Sequence, residues 1–498
     1  MLGENQNVET VNLLSVSTAK NTTEILTELV KGSQNNIVLK LHLGDANSDF
    51  KASSLVRMSK KSGRAGHLFN IHKHYSGVDH QLMASESFKQ DLEKLIDQLF
   101  RHSDAYRYKS HNLQNLQDYL DYYHILADAM ANEIISHEIN HILFFNIPHL
   151  AYDTIIYQLA ISLKIEITIV TQSLFANKFF SLRRIENYGD IDREKSFTAK
   201  IAHKIPEIDL FYMKKIKQKK EKSGSINLKA FLSFTLFVLF KNPSLLFRPF
   251  YSLKILNQIN KIYQRFPKWR DPFANFFHVN ELAYFEHLAE FELNKLDLGK
   301  RFVYFPLPMQ PEMTTSAIGG DYRDQLLALE HLSKILPKDV KIFVKENPKQ
   351  GSFSRGPLFF HRLSRIKSVI FVPSYADTNE LTKKAIFIAT VTGTVGWEAL
   401  CIGKSVLVFG NAWYKNFPGV TLYKEGLLFQ NIIENAPQKK DVELTFNNLM
   451  ASSHDGVVDR AYTGLVPNFN IEENAANTAK TLEKLIFKKT EATFPNLK

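Results

Sequence analysis

The chain has 498 residues, 44% of them hydrophobic and 12% aromatic, so it folds, and it is too long for one ordinary core. A single cysteine, Cys401, excludes an internal disulfide and a thiolate cluster for zinc, and a buried thiol in a reducing compartment is expected. The formal net charge is +11, yet fourteen Lys/Arg and one acid, Glu221, fall between Lys214 and Arg270, which argues against a general nucleic-acid coat and for a local device.

Residues 1–10 are polar and acidic and lack the basic-then-apolar layout of a secretory leader. Short apolar runs at 11–16, 37–41, 142–145 and 165–170 predict strands. Residues 151–163 predict a helix between the last two, a strand–helix–strand unit that pairs in parallel. The polar stretch 45–80 reads as a loop, and helical patterns follow at 87–100 and 113–135. The basic segment opens with Lys214-Lys215-Ile216-Lys217 and continues into the Phe/Leu-rich run 230–240. That run is shorter than the ~20 residues a membrane-spanning helix needs. Pro243, Pro249 and an amphipathic stretch at 253–266 complete it.

The second half restarts near 281. Strands are expected at 302–307, 340–345, 369–372, 386–391 and 406–409, with a helix over 322–336 after the first. Gly403 suits a helix C-terminus, and 471–488 reads as a closing helix. This is a doubly wound α/β pattern, in which ligands bind beyond the carboxyl ends of the strands. The expected division is 1–213, 214–280, 281–470 and 471–498.

Polar and glycine-rich loops follow four successive strands of the second half. The first holds Gln310-Pro311-Glu312 and Ser316-Ala317-Ile318-Gly319-Gly320. The others hold Lys345-Glu346-Asn347-Pro348, Pro373-Ser374 and Thr392-Gly393-Thr394. The last is the most informative. A Thr/Gly turn feeding a helix leaves backbone N–H groups aimed at one spot, backed by the helix dipole, which suits phosphate. Glu398, one turn into that helix, is placed to reach a ribose hydroxyl. Lys345 and Asn347 are candidate partners of a diphosphate or carboxylate. In the first half, Asn146-Ile147-Pro148-His149 ends a strand, and His149 is a candidate general base with Asp153 to orient it. Gln172-Ser173-Leu174-Phe175 is expected to line the same cleft, with His42 and Gly44-Asp45 as weaker candidates. Asp190-Ile191-Asp192 has the spacing of a divalent-metal site but follows no clear buried strand, and is expected to be surface loop. His137-Glu138-Ile139-Asn140-His141 has the zinc-peptidase spacing. It runs straight into a strand with no third ligand evident, so no metal is expected.

Residues 302–419 resemble the capsule polysaccharide biosynthesis family, which includes bacterial β-Kdo transferases. Gln310-x-Glu312, Lys345-Glu346-Asn347-Pro348 and Thr392-Gly393-Thr394-x-Gly396-Trp397-Glu398-Ala399 carry the resemblance. Gly403-Lys404-x-Val406 and Phe409-Gly410-Asn411-Ala412-Trp413-Tyr414 carry it further. It implies a GT-B-like arrangement, two Rossmann-like domains facing a cleft, to which the composition of this chain adds a basic amphipathic helical insertion. It also implies metal-independent glycosyl transfer from a nucleotide-sugar donor, which is substrate rather than cofactor. The acceptor would be a growing or lipid-linked surface polysaccharide. Gln310, Lys345, Asn347, Ser374, Thr392, Gly393, Thr394 and Glu398 would bind the donor, and His149, Asp153 and Glu312 would serve catalysis. Asn347-Pro348 stands where related enzymes using cytidine-monophosphate sugars often carry His-Pro, so the resemblance implies glycosyl transfer without fixing a CMP-Kdo-like donor. Residues 214–270 would rest on the anionic inner face of the bacterial inner membrane, making the protein cytoplasmic and peripheral. A nucleotide-sugar 2-epimerase and a non-catalytic capsule assembly factor are the alternative readings.

Overall fold

The computed structural model describes residues 10–17, 22–33, 36–43, 53–54, 75, 116–149, 151–192, 205, 208, 244, 247–251, 253, 296–310, 312–347, 350, 355, 357–373 and 376–496. The first unit contains β1 (Val11–Val16), α1 (Thr22–Gly32), β2 (Ile37–Leu43), β3 (Ser53–Ser54), α2 (Leu116–Ser136), β4 (His141–Phe144), α3 (Ala151–Ser162), β5 (Glu166–Gln172) and β6 (Lys178–Leu182). The second contains β7 (Phe302–Pro306), α4 (Gln325–Ile335), β8 (Lys341–Lys345), α5 (Pro357–Ser364), β9 (Val369–Val372), α6 (Thr378–Lys384), β10 (Ile388–Thr390), α7 (Thr394–Cys401), β11 (Val406–Val408), β12 (Val420–Leu422), α8 (Phe429–Glu434) and α9 (Lys439–Ser452). Then come β13 (His454–Asp455) and α10 (Ile471–Ile486).

Both sheets are wound the same way. The second runs β9-β8-β7-β10-β11-β12 and is parallel throughout. The first runs β3-β2-β1-β4-β5 in parallel, then β6 and β13 antiparallel at the edge. In each, the chain winds outward, returns to its first strand and continues on the other side, the Rossmann order. The reversal falls between β1 and β4 in one sheet and between β7 and β10 in the other. This is the α/β class with two Rossmann-like units that the sequence predicts. The buried strands read as apolar runs because helices cover both faces, and Phe302, Val303, Ile342 and Val344 are fully buried.

The chain does not end in its second unit. Residues after α9 return to the first sheet: β13 pairs with β6, and α10 packs on α1 through Ala475, Ala479, Leu482 and Leu485 against Ile25, Leu26 and Leu29. The Phe494 amide donates to the Ser181 carbonyl at 3.0 Å. Residues 454–496 therefore belong with the first sheet. Most of the basic segment 214–280 lies outside the described residues, as do the expected helix at 87–100 and Gly44-Asp45. Among the described residues no helix is long and apolar enough to cross a membrane.

Candidate functional site

The carboxyl ends of the two sheets face one another. Phe175, just past β5, meets Trp413, past β11, at 5.6 Å between ring centroids. It meets Trp397 of α7 at 6.3 Å and Phe446 of α9 at 4.9 Å, all edge-on. Lys415, nearly buried, reaches across to Asp190 at 2.9 Å and the Glu186 carbonyl at 3.0 Å. Asp190 is thus not the solvated loop residue the sequence suggested: its carboxylate ties the two units together. Gln172 is likewise engaged in structure, its Oε1 accepting from the Val458 amide at 2.8 Å where the chain returns. The segment expected to line the cleft instead closes the seam beside it.

At the β7/β10 reversal the Thr392–Thr394 turn is built by several close approaches. Gly393, with no side chain to offer, is the N-cap of α7, so the cap residue supplies no side-chain oxygen to the first amides of the helix, and the Gly396 amide donates to the Gly393 carbonyl at 3.1 Å. The Gly393 amide donates to Thr390 Oγ1 at 3.0 Å, and its carbonyl accepts from Tyr414 Oη. Tyr414 gets that near only because residue 396 is glycine: a Cβ there would overlap Oη and lie 2.8 Å from Cζ. Thr392 Oγ1 donates to the Thr314 carbonyl, fastening the turn to the loop after β7. The threonine hydroxyls are therefore not the helix cap; Thr392 holds the loop, and Thr394 opens the helix half-exposed. Gly403 (φ +77°) closes α7 in the left-handed region, as its position predicts.

The loop after β7 has a different logic from the one its sequence suggests. Glu312 caps a single π turn, Met313–Ala317: its Oε2 accepts from the Met313 amide at 3.3 Å, and its own amide donates to Thr315 Oγ1 at 3.2 Å. Gln310 is clasped through its backbone by the Gln350 side chain, at 2.8 Å and 2.7 Å, and its Oε1 accepts from Gln325 at 3.0 Å. Lys345, expected in the donor site, is buried and donates to the Ala376 carbonyl at 2.6 Å and Thr378 Oγ1 at 2.7 Å. It pins the loop after β9 to the end of β8. The Asn347 amide donates to Glu346 Oε1 at 2.6 Å. Ser374 lies outside the described residues.

Sequence reasoning missed the ion pair beneath this loop. Glu346 and Arg355 are both buried and paired, and Arg355 also donates to the Pro308 carbonyl and, at 3.0 Å, to Gln325 Oε1. An acid directly after a fully buried strand needs such a partner, and that demand was the available signal. Glu398 sits in the second turn of α7, where burial holds its carboxyl above the usual range. Tyr304 and Tyr414 lie near enough for its charge to raise their hydroxyl pKa values further.

In the first unit the β1/β4 reversal places His149. Asn146 Oδ1 accepts from the Ile147 amide and from Thr171 Oγ1, both at 2.9 Å, and turns the chain after β4. The His149 Nδ1 lies 2.7 Å from the Ile147 carbonyl. A carbonyl only accepts, so Nδ1 carries the proton in this contact. The backbone fixes this ring; Asp153, buried at the start of α3, accepts from Thr154 Oγ1 at 3.3 Å. His42 is buried against Ser15 Oγ at 2.5 Å, and burial pushes its pKa down to about 4. His141, half of the zinc-like spacing, is the buried first residue of β4, bonded to Thr168 Oγ1 at 2.9 Å, while His137 follows α2, its Nδ1 2.9 Å from the Glu133 carbonyl.

Two Rossmann-ordered sheets in contact through the loops at their carboxyl edges, with a glycine-capped helix start at one reversal and a histidine at the other, define a two-unit α/β protein. Residues 279–454 match the family described as capsule polysaccharide biosynthesis protein. No curated protein matches the chain. Among solved structures it is similar to the KpsC beta Kdo 2,7 transferase of Thermosulfurimonas dismutans (12% identity, 61% of this chain, 79% of that one, TM-score 0.28). It is also similar to the UDP-GlcNAc 2-epimerase of Neisseria meningitidis (13%, 96% and 100%, TM-score 0.24). A third is a glycosyltransferase of Rickettsia africae (12%, 97% and 100%, TM-score 0.25).

Proposed function

We propose that the chain is a GT-B-type glycosyltransferase of capsule or surface-polysaccharide synthesis, moving a sugar from a nucleotide-activated donor to a polysaccharide or lipid-linked acceptor. The observation that carries this reading is the glycine-capped start of α7 at the β7/β10 reversal, inside the matched region. The first amides of the helix would hold the donor phosphate, with the dipole, equivalent to about half a positive charge, behind them. Glu398 would take a ribose hydroxyl, with Thr394 beside it. His149 Nε2 would accept the proton of the acceptor hydroxyl as that oxygen bonds the anomeric carbon. The bond from that carbon to the phosphate oxygen breaks, and the nucleotide leaves with the electron pair. No divalent metal is included, because Lys415 engages the Asp-x-Asp carboxylate of Asp190. Positioning and charge stabilisation supply the rate.

The basic segment fits a membrane-facing role for the acceptor end. Its described part holds Phe247 and Phe250, each 86% exposed, either side of Arg248 and next to Tyr251. Exposed aromatics among cations suit an anionic lipid surface. Flotation with phosphatidylglycerol vesicles should retain the intact protein and not one lacking residues 214–270; equal behaviour of the two would remove this role.

The central test is a calorimetric screen of CMP, UDP, GDP and their sugars. One nucleotide series should bind, and Glu398→Ala should weaken it. His149→Ala should lower transfer by roughly 10²–10⁴-fold with donor affinity nearly unchanged. Absence of nucleotide binding would sink the proposal, and epimer formation without acceptor would replace transfer by epimerisation.

A further inference from the structure

A cavity lies at the amino edge of the second sheet, opposite the Thr392–Thr394 turn. Its volume is about 680 Å³, within the range of small-molecule sites. It is walled by the carboxyl ends of α4 and α5 and the segments entering β8 and β9. Lys341 opens β8, whereas Lys345 closes it, so the cavity stands about 13 Å along the strand from the donor crevice. Ligands of this fold class bind at the carboxyl edge, which leaves this amino-edge cavity outside the site already described.

The cavity lining is strongly cationic. Lys334, Lys338, Lys341, Arg362, Arg365 and Lys367 surround it, with Glu330 as its one acid. Arg362 is satisfied: its guanidinium takes both Glu330 oxygens at 2.7 Å and Asp324 at 2.6 Å. That leaves five cations, and among the described residues none of them has an acidic partner. Nearby Asp339 is engaged by Arg301 at 2.7 Å. Ser368 Oγ, also in the lining, is buried without a hydrogen-bond partner among the described groups.

Cations near helix carboxyl ends are ordinarily explained by the dipole. Two helix ends supply roughly one negative charge between them, against five cations here. Arg362 with its two acids carries one further negative charge, so about three positive charges around one concavity remain uncompensated, an arrangement that costs repulsion unless an anion enters. A diphosphate carries enough charge, accepts several hydrogen bonds at once and leaves room for a substituent in this volume.

We propose that this cavity is a second anion site, taking a diphosphate-class group at the edge of the sheet opposite the donor crevice. The same chemistry reaches it from a soluble diphosphate or from the phosphate of a membrane-held lipid. The test uses the full chain, with pyrophosphate followed by calorimetry and phosphatidylglycerol against phosphatidylcholine vesicles followed by flotation. Lys338→Glu with Lys367→Glu reverses two lining charges. Lys480→Glu with Lys484→Glu, on the exposed side of α10, makes the same change in net charge elsewhere. The first pair should weaken pyrophosphate binding by about tenfold for each lysine reversed. The second should leave it unchanged, and thermal unfolding should show both folded. The milder pair Lys338→Gln with Lys367→Gln should fall between wild type and reversal. Loss of vesicle binding alone in the lining variants supports the lipid source, and loss of pyrophosphate binding alone the soluble one. The absence of any loss, of pyrophosphate binding or of vesicle binding, on reversal of the lining overturns the site; vesicle binding that persists alone is that of residues 214–270.

Discussion

At the residue scale, Gly396 shows how the candidate site is held by contacts that are not themselves chemistry. Tyr414 Oη donates to the Gly393 carbonyl, and the missing side chain of residue 396 is what admits the tyrosine ring. Gly396→Ala should therefore displace a fully buried tyrosine and loosen the cap of α7 together. Overpacking of this kind costs about 1–3 kcal/mol, read as a lower urea midpoint with an unchanged slope. Donor affinity should fall with it, because the turn that presents the amides has moved. Tyr414→Phe keeps the ring and removes only the hydroxyl, so it should lose donor affinity with a smaller loss of stability. Equal stability of Gly396→Ala and wild type would show that Tyr414 does not depend on that space. Glycine was legible in the Thr392–Glu398 motif as a phosphate feature; its second use, as clearance for a tyrosine eighteen positions on, has no local signature.

At the scale of elements, the strands of both sheets were legible because each is a short apolar run between turn residues, and β1, β9 and the start of α3 lie where the pattern puts them. The return of the chain was not. α10 reads as an amphipathic closing helix, but nothing local says that its apolar face meets α1, more than 430 residues earlier. β13, two residues long, and β6, after a turn with Asn177 at φ 52°, are set by pairing rather than by pattern. The site divides along the same line. Thr392, Gly393, Thr394 and His149 fall at the two reversals, where strand order alone places ligands. Lys345 and Gln310 hold neighbouring loops, a use the sequence did not disclose because a polar residue at a strand end serves equally to satisfy the loop beside it. If α10 is part of the first unit, Leu482→Ala should destabilise it by about 2–5 kcal/mol, the range for a fully buried leucine. Leu444→Ala on α9, at a position 58% exposed, should stay within ~0.5 kcal/mol. Proteolysis after Leu482→Ala should cut first within α1, β1 or α10. Cleavage confined to the second unit would contradict the assignment.

On the scale of the whole molecule, the two units differ in their response to acid. Three histidines of the first sheet, His42, His141 and His454, are held by burial down to about 4, each bonded to a hydroxyl of a neighbouring strand. Their folded pKa values lie below the unfolded value near 6.5, so below that pH the unfolded chain takes protons that the folded one refuses. Stability is therefore complete above pH 6.5 and drains as pH falls toward 4. For fully buried His42 and His141 the loss is about 3 kcal/mol each at pH 4. Glu166 and Glu330 are shifted down and add losses only below their ordinary range near 4.5. Glu398 is shifted up and acts the other way, its penalty growing as pH rises above 4.5. Among these groups the losses between pH 6.5 and 4.5 thus come from the histidines, all three in one sheet, while Glu398 in the second unit gains stability as pH falls. Hydrogen exchange, corrected for intrinsic rate, should lose protection in β1 and β4 across that window while β7 and β8 stay protected. Equal loss of protection in both sheets would mean that the two units unfold as one, and that the shared aromatic seam outweighs the separate cores.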